Sequence, residues 1–273
     1  MSINAFSSKQ YDNLLKVGAT AKEIETYGEA EGWNKLLANR KLKKLSVSYL
    51  AQDQAARLSE LKSLQSLHIF NGLVNDLSSL TELAQLRHLK LEVTGYVRDF
   101  SFLGRLKQLE TLKLIDVTKF KDVSILEKLP LLHTFQISKM TSWVSLPTLA
   151  SFAKLKQVRV LRIGFDAKDG SLSPLGKLSD LEELSLPLSY YLEEYARLAV
   201  ALPHVKCSCF TQPYNLAGGS VFSKCKRCGG FARITLARGR RSICSKCDDD
   251  KFRAYKKNFE DMKAEFSRKA AKK

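Results

Sequence analysis

Leu64-x-x-Leu67-x-Ile69, Leu86-x-x-Leu89-x-Leu91 and Leu109-x-x-Leu112-x-Leu114 are three copies of one pattern, and they decide how the rest of the chain is read. Upstream the pattern appears as Leu42-x-x-Leu45-x-Val47. Downstream it appears as Leu132-x-x-Phe135-x-Ile137, Val158-x-x-Leu161-x-Ile163 and Leu181-x-x-Leu184-x-Leu186. The starts are 22, 22, 23, 23, 26 and 23 residues apart. Seven copies at nearly constant spacing make a repeat array, and repeats at this period mean a solenoid.

The pattern has a physical reading. Side chains alternate along a strand, so the final apolar pair of each copy points to one face. Between strands, Leu77/Leu80/Leu83 and Val123/Leu126/Leu129 recur every three residues, which suits a short helical or 3₁₀ return segment. Each coil closes its apolar side only against its neighbours. On these residues the sequence resembles the leucine-rich repeat superfamily, in the short 22-residue type found in internalins, over roughly residues 40–210. The resemblance implies an α/β solenoid of about eight repeats with a parallel, concave sheet. It also implies a buried Asn after each strand. Only Asn71 matches, so the ladders at the other turns are expected to be less regular.

The ends are atypical. Residues 8–38 read as a helical N-terminal cap, with Thr20-x-x-Glu23 as a capping box and Ile24, Tyr27, Trp33, Leu36 and Leu37 facing the first repeat. Val205-x-x-Ser208-x-Phe210 is a weaker eighth copy, a last strand or cap. The predicted organisation is a cap over 1–40, repeats over 41–212, a linker over 213–224 and a C-terminal module over 225–273.

Residues between the motif's apolar positions face out of the sheet. The middle column is Ser46, His68, Lys90, Lys113, Gln136, Arg162 and Ser185. Phe70 and Ile115 stand on its flank. With strands about 4.8 Å apart, eight repeats give a face roughly 34 Å long, the size of a protein-binding surface rather than a small-molecule pocket. Lys90, Lys113 and Arg162 make its centre basic. His68, Phe70, Lys90, Lys113, Ile115 and Arg162 are the candidate partner-binding residues.

Beyond the linker, Cys225-x-x-Cys228 and Cys244-x-x-Cys247 form two knuckles on either side of an alternating Phe231–Leu236 stretch. Two such pairs match a tetrahedral Cys₄ zinc site in a ribbon. Four thiolates leave no position open for substrate, so a Zn²⁺ ion held there is structural. Arg233, Arg238, Arg240 and Arg241 on the hairpin are candidate phosphate contacts. Cys207 and Cys209 are surplus to this set and read as buried or idle thiols. Phe252, Tyr255, Phe259, Met262 and Phe266 then fall at spacings of 3 and 4, one stripe of an amphipathic helix. That stripe packs on the ribbon or repeats, or docks a partner.

Composition bounds the function. The chain has 273 residues, 44% of them apolar, and 45 basic against 28 acidic side chains. Residues 206–273 hold 18 basic and 6 acidic side chains, a net +12 of the total +17. The opening residues hold no secretory-type apolar run, and no membrane-length apolar run occurs anywhere. Six cysteines are too few for a disulfide scaffold of this size, which points to a reducing, cytoplasmic setting. There is no phosphate-cradling Gly-rich loop, no G-x-S-x-G and no H-E-x-x-H, and the four histidines are scattered. The expectation is a non-enzymatic adaptor or inhibitor, of immunity or effector type, holding an acidic protein on its repeat face. The alternative is a nucleic-acid-associated protein that binds RNA or DNA phosphate through its ribbon and tail.

Overall fold

A computed structural model describes residues 10–138, 146–211, 225–229, 233–234, 238, 243–244 and 246–272. They fall in two compact units, Met1–Val144 and Ser145–Lys273.

The first unit is a parallel sheet of strands in chain order: β1 (Gln10–Asn13), β2 (Glu23–Glu31), β3 (Lys44–Ser48), β4 (Ser66–Phe70), β5 (His88–Glu92), β6 (Thr111–Ile115) and β7 (Thr134–Ser138). From β3 to β7 the register is unbroken: Leu45 stands opposite Leu67, then Leu89, Leu112 and Phe135. These side chains are essentially inaccessible to solvent, as are Val47, Ile69, Leu91 and Leu114 two residues on. The return segments are mostly 3₁₀ turns, at Ser78–Glu82, Ser101–Arg105 and Val123–Lys128, with one short helix, α2 (Gln52–Arg57). Three-residue periodicity therefore selected the tighter helix, as its geometry requires.

Three expectations need correction. Of the stretch 8–38, the described part, residues 10–38, is not a helical cap: β2 runs parallel to β3, and the helical pieces are a 3₁₀ turn at Leu14–Lys16 and α1 (Trp33–Leu37). Along β2 the inward positions are Ile24, Thr26, Gly28 and Ala30, so the alternation is hidden by residues that are small or polar. Gly28 is required there, because a Cβ would lie 2.1 Å from the Tyr49 carbonyl oxygen. Glu23 opens the strand and pairs with Lys44 at 2.6 Å instead of capping a helix.

Asn71 is not a buried ladder residue. It is half-exposed with φ 50°, and Tyr49, Val93 and Asp116 share that left-handed conformation at the same place in their repeats. The position buried in all four repeats is the next one, filled by Leu50, Gly72, Thr94 and Val117, although Asp116 is buried as well. Asparagine at residue 71 reflects tolerance of positive φ. The ladders are regular without a buried Asn column: the N–H groups of Tyr49, Asn71, Val93 and Asp116 donate to Phe70, Glu92, Ile115 and Ser138 in the next repeat, at 2.8–3.0 Å. Thr94 Oγ1 is buried without a hydrogen-bond partner.

The eighth copy is not a full strand. In the second unit β8 (Val160–Gly164) pairs in parallel with β9 (Glu183–Ser185), and the copy at 205–210 contributes one bridge, Glu183 to Lys206, before a 3₁₀ turn at Ser208–Phe210. The final return segment is instead a true helix, α3 (Leu192–Ala201), with Leu192, Tyr195, Ala196, Leu198 and Ala199 buried. The linker expected at 213–224 lies outside the described residues.

Polar side chains lock neighbouring coils. Arg40, Lys62 and Lys107 donate to the carbonyls of Glu60, Glu82 and Lys128, one repeat on, and Lys156 does the same to Lys177 in the second unit. Cations at the carbonyl ends of short helices are favourable, so part of the chain's positive charge is structural. At the other end of the turns, Asp76, Asp99, Asp122 and Asp169 accept from the N–H two residues on, at Ser78, Ser101, Ser124 and Ser171.

The Ser124 hydroxyl and backbone N–H hold the Asp122 carboxyl below its usual range. A carboxyl depressed on folding stabilises above its unfolded pKa of about 3.9, and that contribution is lost as pH falls through the lower folded value. Asp122→Ala is therefore expected to lose about 0.5–1 kcal/mol at pH 7, the low end for an N-cap since the group is solvent-screened. Urea midpoints of the two proteins should converge as pH drops below 4; a difference that persists unchanged at pH 2.5 contradicts the assignment.

Candidate metal centre and partner face

The two cysteine knuckles converge. The four Sγ atoms of Cys225, Cys228, Cys244 and Cys247 lie within 4.8 Å of one another. Cys225 and Cys247 are 3.9 Å apart at sulfur, and Cys228 and Cys244 are 3.8 Å apart. A tetrahedral ion with metal–sulfur bonds of about 2.3 Å needs sulfurs about 3.8 Å apart. Donor type and spacing thus fit a metal ion.

Each knuckle is closed by the same bond. Gly229 N–H donates to the Cys225 carbonyl at 2.8 Å, and Asp248 N–H to the Cys244 carbonyl at 2.9 Å. Gly229 has φ 67°, which favours glycine there. Between the knuckles β10 (Arg233–Ile234) pairs antiparallel with β11 (Ile243–Cys244), the hairpin of a ribbon. The backbone N–H groups of Cys228 and then Arg227 pull the Cys225 thiol down to about 6. The Cys228 thiol, with burial second, pushes Cys247 up to about 12. One sulfur is thus prepared as a thiolate, the form that ligates metal.

Asp248 ties the knuckles together, a role that the cysteine spacing does not mark. Its carboxylate accepts the Cys244 N–H at 3.1 Å and pairs with Arg227 of the other knuckle at 2.6 Å. The Arg227 guanidinium, then the Cys244 N–H, hold it below the usual carboxylate range. Groups of this kind orient ligands and tune their basicity.

From Asp248 the chain enters α4 (Asp249–Ala270), which packs along α3. Within the stripe Tyr255 and Phe259 are buried, and Phe252, Met262 and Phe266 half-buried. The Arg197 guanidinium of α3 sits 4.5 Å above the Phe266 ring. The stripe is therefore largely occupied within the second unit.

Among the basic hairpin residues, Arg238 is engaged internally: its N–H donates to the Tyr190 carbonyl at 2.9 Å, and its guanidinium lies 5.4 Å from the centre of the Tyr191 ring. Arg233 sits on β10. Arg240 and Arg241 lie outside the described residues.

In the first unit the register sets Ser46, His68, Lys90, Lys113 and Gln136 in one row across β3–β7. Phe70, Glu92 and Ile115 form the adjacent row. Arg162 is in the second unit, beside Ser185 and 3.5 Å from Glu183. The structure adds a compensating charge to the row: Glu92 receives His68 Nε2 at 3.1 Å and pairs closely with Lys90. Ser46 Oγ meets His68 Nδ1 at 3.2 Å. Burial, reinforced by Lys90, lowers the His68 pKa, so the ring is neutral near pH 7. The centre of this face is less basic than its Lys column alone suggests.

Just beyond the strand ends, Tyr49, Leu73 and Tyr96 are 47, 58 and 63% exposed. They occupy successive turns after β3, β4 and β5, so an apolar rim borders the row of Phe70 and Ile115. The sequence reading passed over these residues because they lie outside the L-x-x-L-x-L frame.

No protein-family profile and no curated protein matches the chain. Solved structures do. A leucine-rich repeat protein from Leptospira interrogans matches over 73% of this chain and 52% of its own, at 18% identity and a TM-score of 0.54. An internalin from Listeria monocytogenes matches over 63% of this chain and 49% of its own, at 19% identity and a TM-score of 0.49. An internalin C2 from that species matches over 65% and 74%, at 20% identity and 0.48. The chain spans about half the length of the Leptospira protein and of the first internalin. With the register above, the likeness to the Leptospira protein establishes a leucine-rich repeat fold. No helix among the described residues is long and apolar enough to cross a membrane.

Proposed function

We propose that this chain is a non-enzymatic protein-binding scaffold that holds an acidic partner protein on its repeat face. The observation carrying the reading is the row of His68, Lys90 and Lys113 bordered by Phe70, Ile115 and the exposed rim Tyr49, Leu73 and Tyr96. Aromatic and apolar anchors beside cations are the composition of a protein interface, and a preformed sheet face loses little entropy on binding. The Lys90–Glu92 pair fits this role: an incoming carboxylate would compete for Lys90 and select geometry as well as charge. Arg162, in the second unit, is proposed as a separate partner contact on that unit's own strand pair.

The four-cysteine centre holds Zn²⁺ in a structural role. A closed thiolate set has no place for substrate, and a segment with so little apolar core gains its stability from the ion. None of the six cysteines is in a disulfide, which fits a reducing, cytoplasmic compartment.

The test is affinity capture from native lysate with and without nuclease, with Lys90→Glu/Lys113→Glu alongside. The expected result is one stoichiometric acidic protein, retained after nuclease, whose affinity falls about 30-fold or more in the double variant. Capture that disappears with nuclease and steepens with falling salt would instead assign the activity to the ribbon and tail, through Arg233, Arg238, Arg240 and Arg241.

A further inference from the structure

A single carboxylate oxygen at the centre of the repeat face serves two donors. Glu92 Oε2 receives His68 Nε2 at 3.1 Å and also pairs with the Lys90 ammonium. The other ring nitrogen of His68, Nδ1, lies 3.2 Å from Ser46 Oγ. A carboxylate only accepts, so the neutral ring carries its proton on Nε2, and Nδ1 accepts from the Ser46 hydroxyl. Three adjacent strands hold this chain of bonds: Ser46 on β3, His68 on β4, and Lys90 with Glu92 on β5. The His68 and Glu92 side chains are 16 and 18% exposed, so water screens their interaction little, while Lys90 is 32% exposed and reaches the surface. The charged or titratable groups that the flanking strands present on this face are Glu23 and Glu25 of β2, Lys44 of β3, and His88, Lys90 and Glu92 of β5.

We propose that His68 is a proton-operated gate on this face: protonated at Nδ1, it takes over Glu92 Oε2 and releases the Lys90 ammonium, so an acidic partner is held more tightly as pH falls. This gate presupposes the partner face proposed above and sets the condition under which it binds. Proton uptake turns Nδ1 from acceptor to donor, and the Ser46 hydroxyl rotates to accept, since a hydroxyl serves either role. No hydrogen bond is lost on that side. On the other side the ring now carries a full charge against Glu92, and a charge-assisted bond is stronger than the neutral one. Lys90 meets the opposite change, because the new cation repels it and competes for its oxygen. Its ammonium is then available to an incoming carboxylate, and the face gains one positive charge. Glu92 stays ionised throughout: burial opposes this, but the hydrogen bond and charge of Lys90, then those of His68, hold its carboxyl below the usual range. Burial first, then Lys90, keeps His68 neutral near pH 7 against the pull of Glu92 and Glu25. The gate is therefore closed at that pH and opens on mild acidification. Linkage is reciprocal, so a bound partner raises the proton affinity of His68 in turn.

The first test needs no partner. NMR resonances of the His68 ring, the Glu92 side-chain carboxyl carbon and Lys90 Cε are followed on the zinc-loaded full chain from about pH 7.5 to about pH 5. The carboxyl and Cε shifts should step at the His68 midpoint, and in His68→Gln both steps should vanish. The other histidines are untouched in that variant and serve as the internal control. The second test uses the partner recovered by the capture experiment. Its affinity should rise about fivefold or more between about pH 7.5 and about pH 5.5. That rise should be absent from His68→Gln, and Glu92→Gln should hold the partner tightly already at the higher pH. A His68 ring that stays neutral down to about pH 5, or one that titrates without moving Glu92 and Lys90, overturns the gate and leaves the partner face standing. A partner whose pH dependence is the same for the native protein and His68→Gln overturns it as well. Capture that charge reversal at Lys90 and Lys113 leaves unchanged overturns the partner-face reading, and with it the gate's effect on binding, whatever the NMR steps show.

Discussion

Cys244→Ser is expected to abolish stoichiometric metal binding and unfold the ribbon while leaving the repeats of the first unit intact. Cys244 is buried, 3.8 Å from the Cys228 sulfur, and belongs to β11, so it is ligand and hairpin strand at once. Removing one thiolate leaves three ligands and a hydroxyl, which is a poor zinc donor. Structural zinc sites of this type are worth on the order of 10 kcal/mol of apparent binding free energy, most of it folding free energy. Among the described residues little else holds the segment: β10 and β11 are two residues each, and isolated hairpins are marginal. Measured by metal analysis, the ion content should fall from about one per chain to near zero. Tryptic cleavage between Lys224 and Lys251 should accelerate by orders of magnitude, and a strong chelator should reproduce both effects in the unaltered protein. A variant that keeps its metal, or a chelated protein as protease-resistant as before, would show that packing, not the ion, maintains this module.

The Asp248–Arg227 bond gives a graded version of the same experiment. Asp248→Asn keeps the shape but removes the charge that links the knuckles, so metal affinity should weaken about 10- to 100-fold without the fold being lost.

What could be read from residues alone follows from where physical chemistry is local. Leu64, Leu67 and Ile69 recur because one coil cannot close its apolar side alone, so the sheet, its register and the 3₁₀ returns were all legible. The metal centre was legible for a similar reason: two Cys-x-x-Cys turns can direct four sulfurs to a point only as knuckles. The N-terminal strand was not, because Thr26, Gly28 and Ala30 do the work of inward apolar residues without looking apolar. Helix α3 was missed because the repeat frame was extended through it, although Leu192, Tyr195, Ala196, Leu198 and Ala199 carry helical spacing. The face of the sheet was legible as a column of identities but not as an electrostatic surface. Glu92 lies on the neighbouring row, and only the register shows that it reaches both His68 and Lys90.

Phe259→Ala is expected to detach α4 from α3. Phe259 is fully buried at the centre of the stripe, one turn from Tyr255 at 7% exposure. Apart from the half-buried Phe252, Met262 and Phe266, the rest of α4 is mostly polar, with ion pairs such as Lys263–Glu260 and Lys269–Glu265 on its surface. Exposed pairs of this kind contribute a few tenths of a kcal/mol each. Docking energy is therefore concentrated in Tyr255 and Phe259, and removal of a buried Phe ring typically destabilises by about 3–5 kcal/mol. A 22-residue helix released from its support is only marginally stable in water. Amide exchange across Asp249–Ala270 should then approach the rate of free peptide, while amides of β3–β7, in the other unit, stay protected. Exchange that stays slow in the variant would mean that α4 is held from its N-terminal end, through Asp248 and the metal knuckle. The comparison separates the two anchors directly: Phe259→Ala should free the distal turns first, whereas Cys244→Ser should loosen the helix from Asp249 onward.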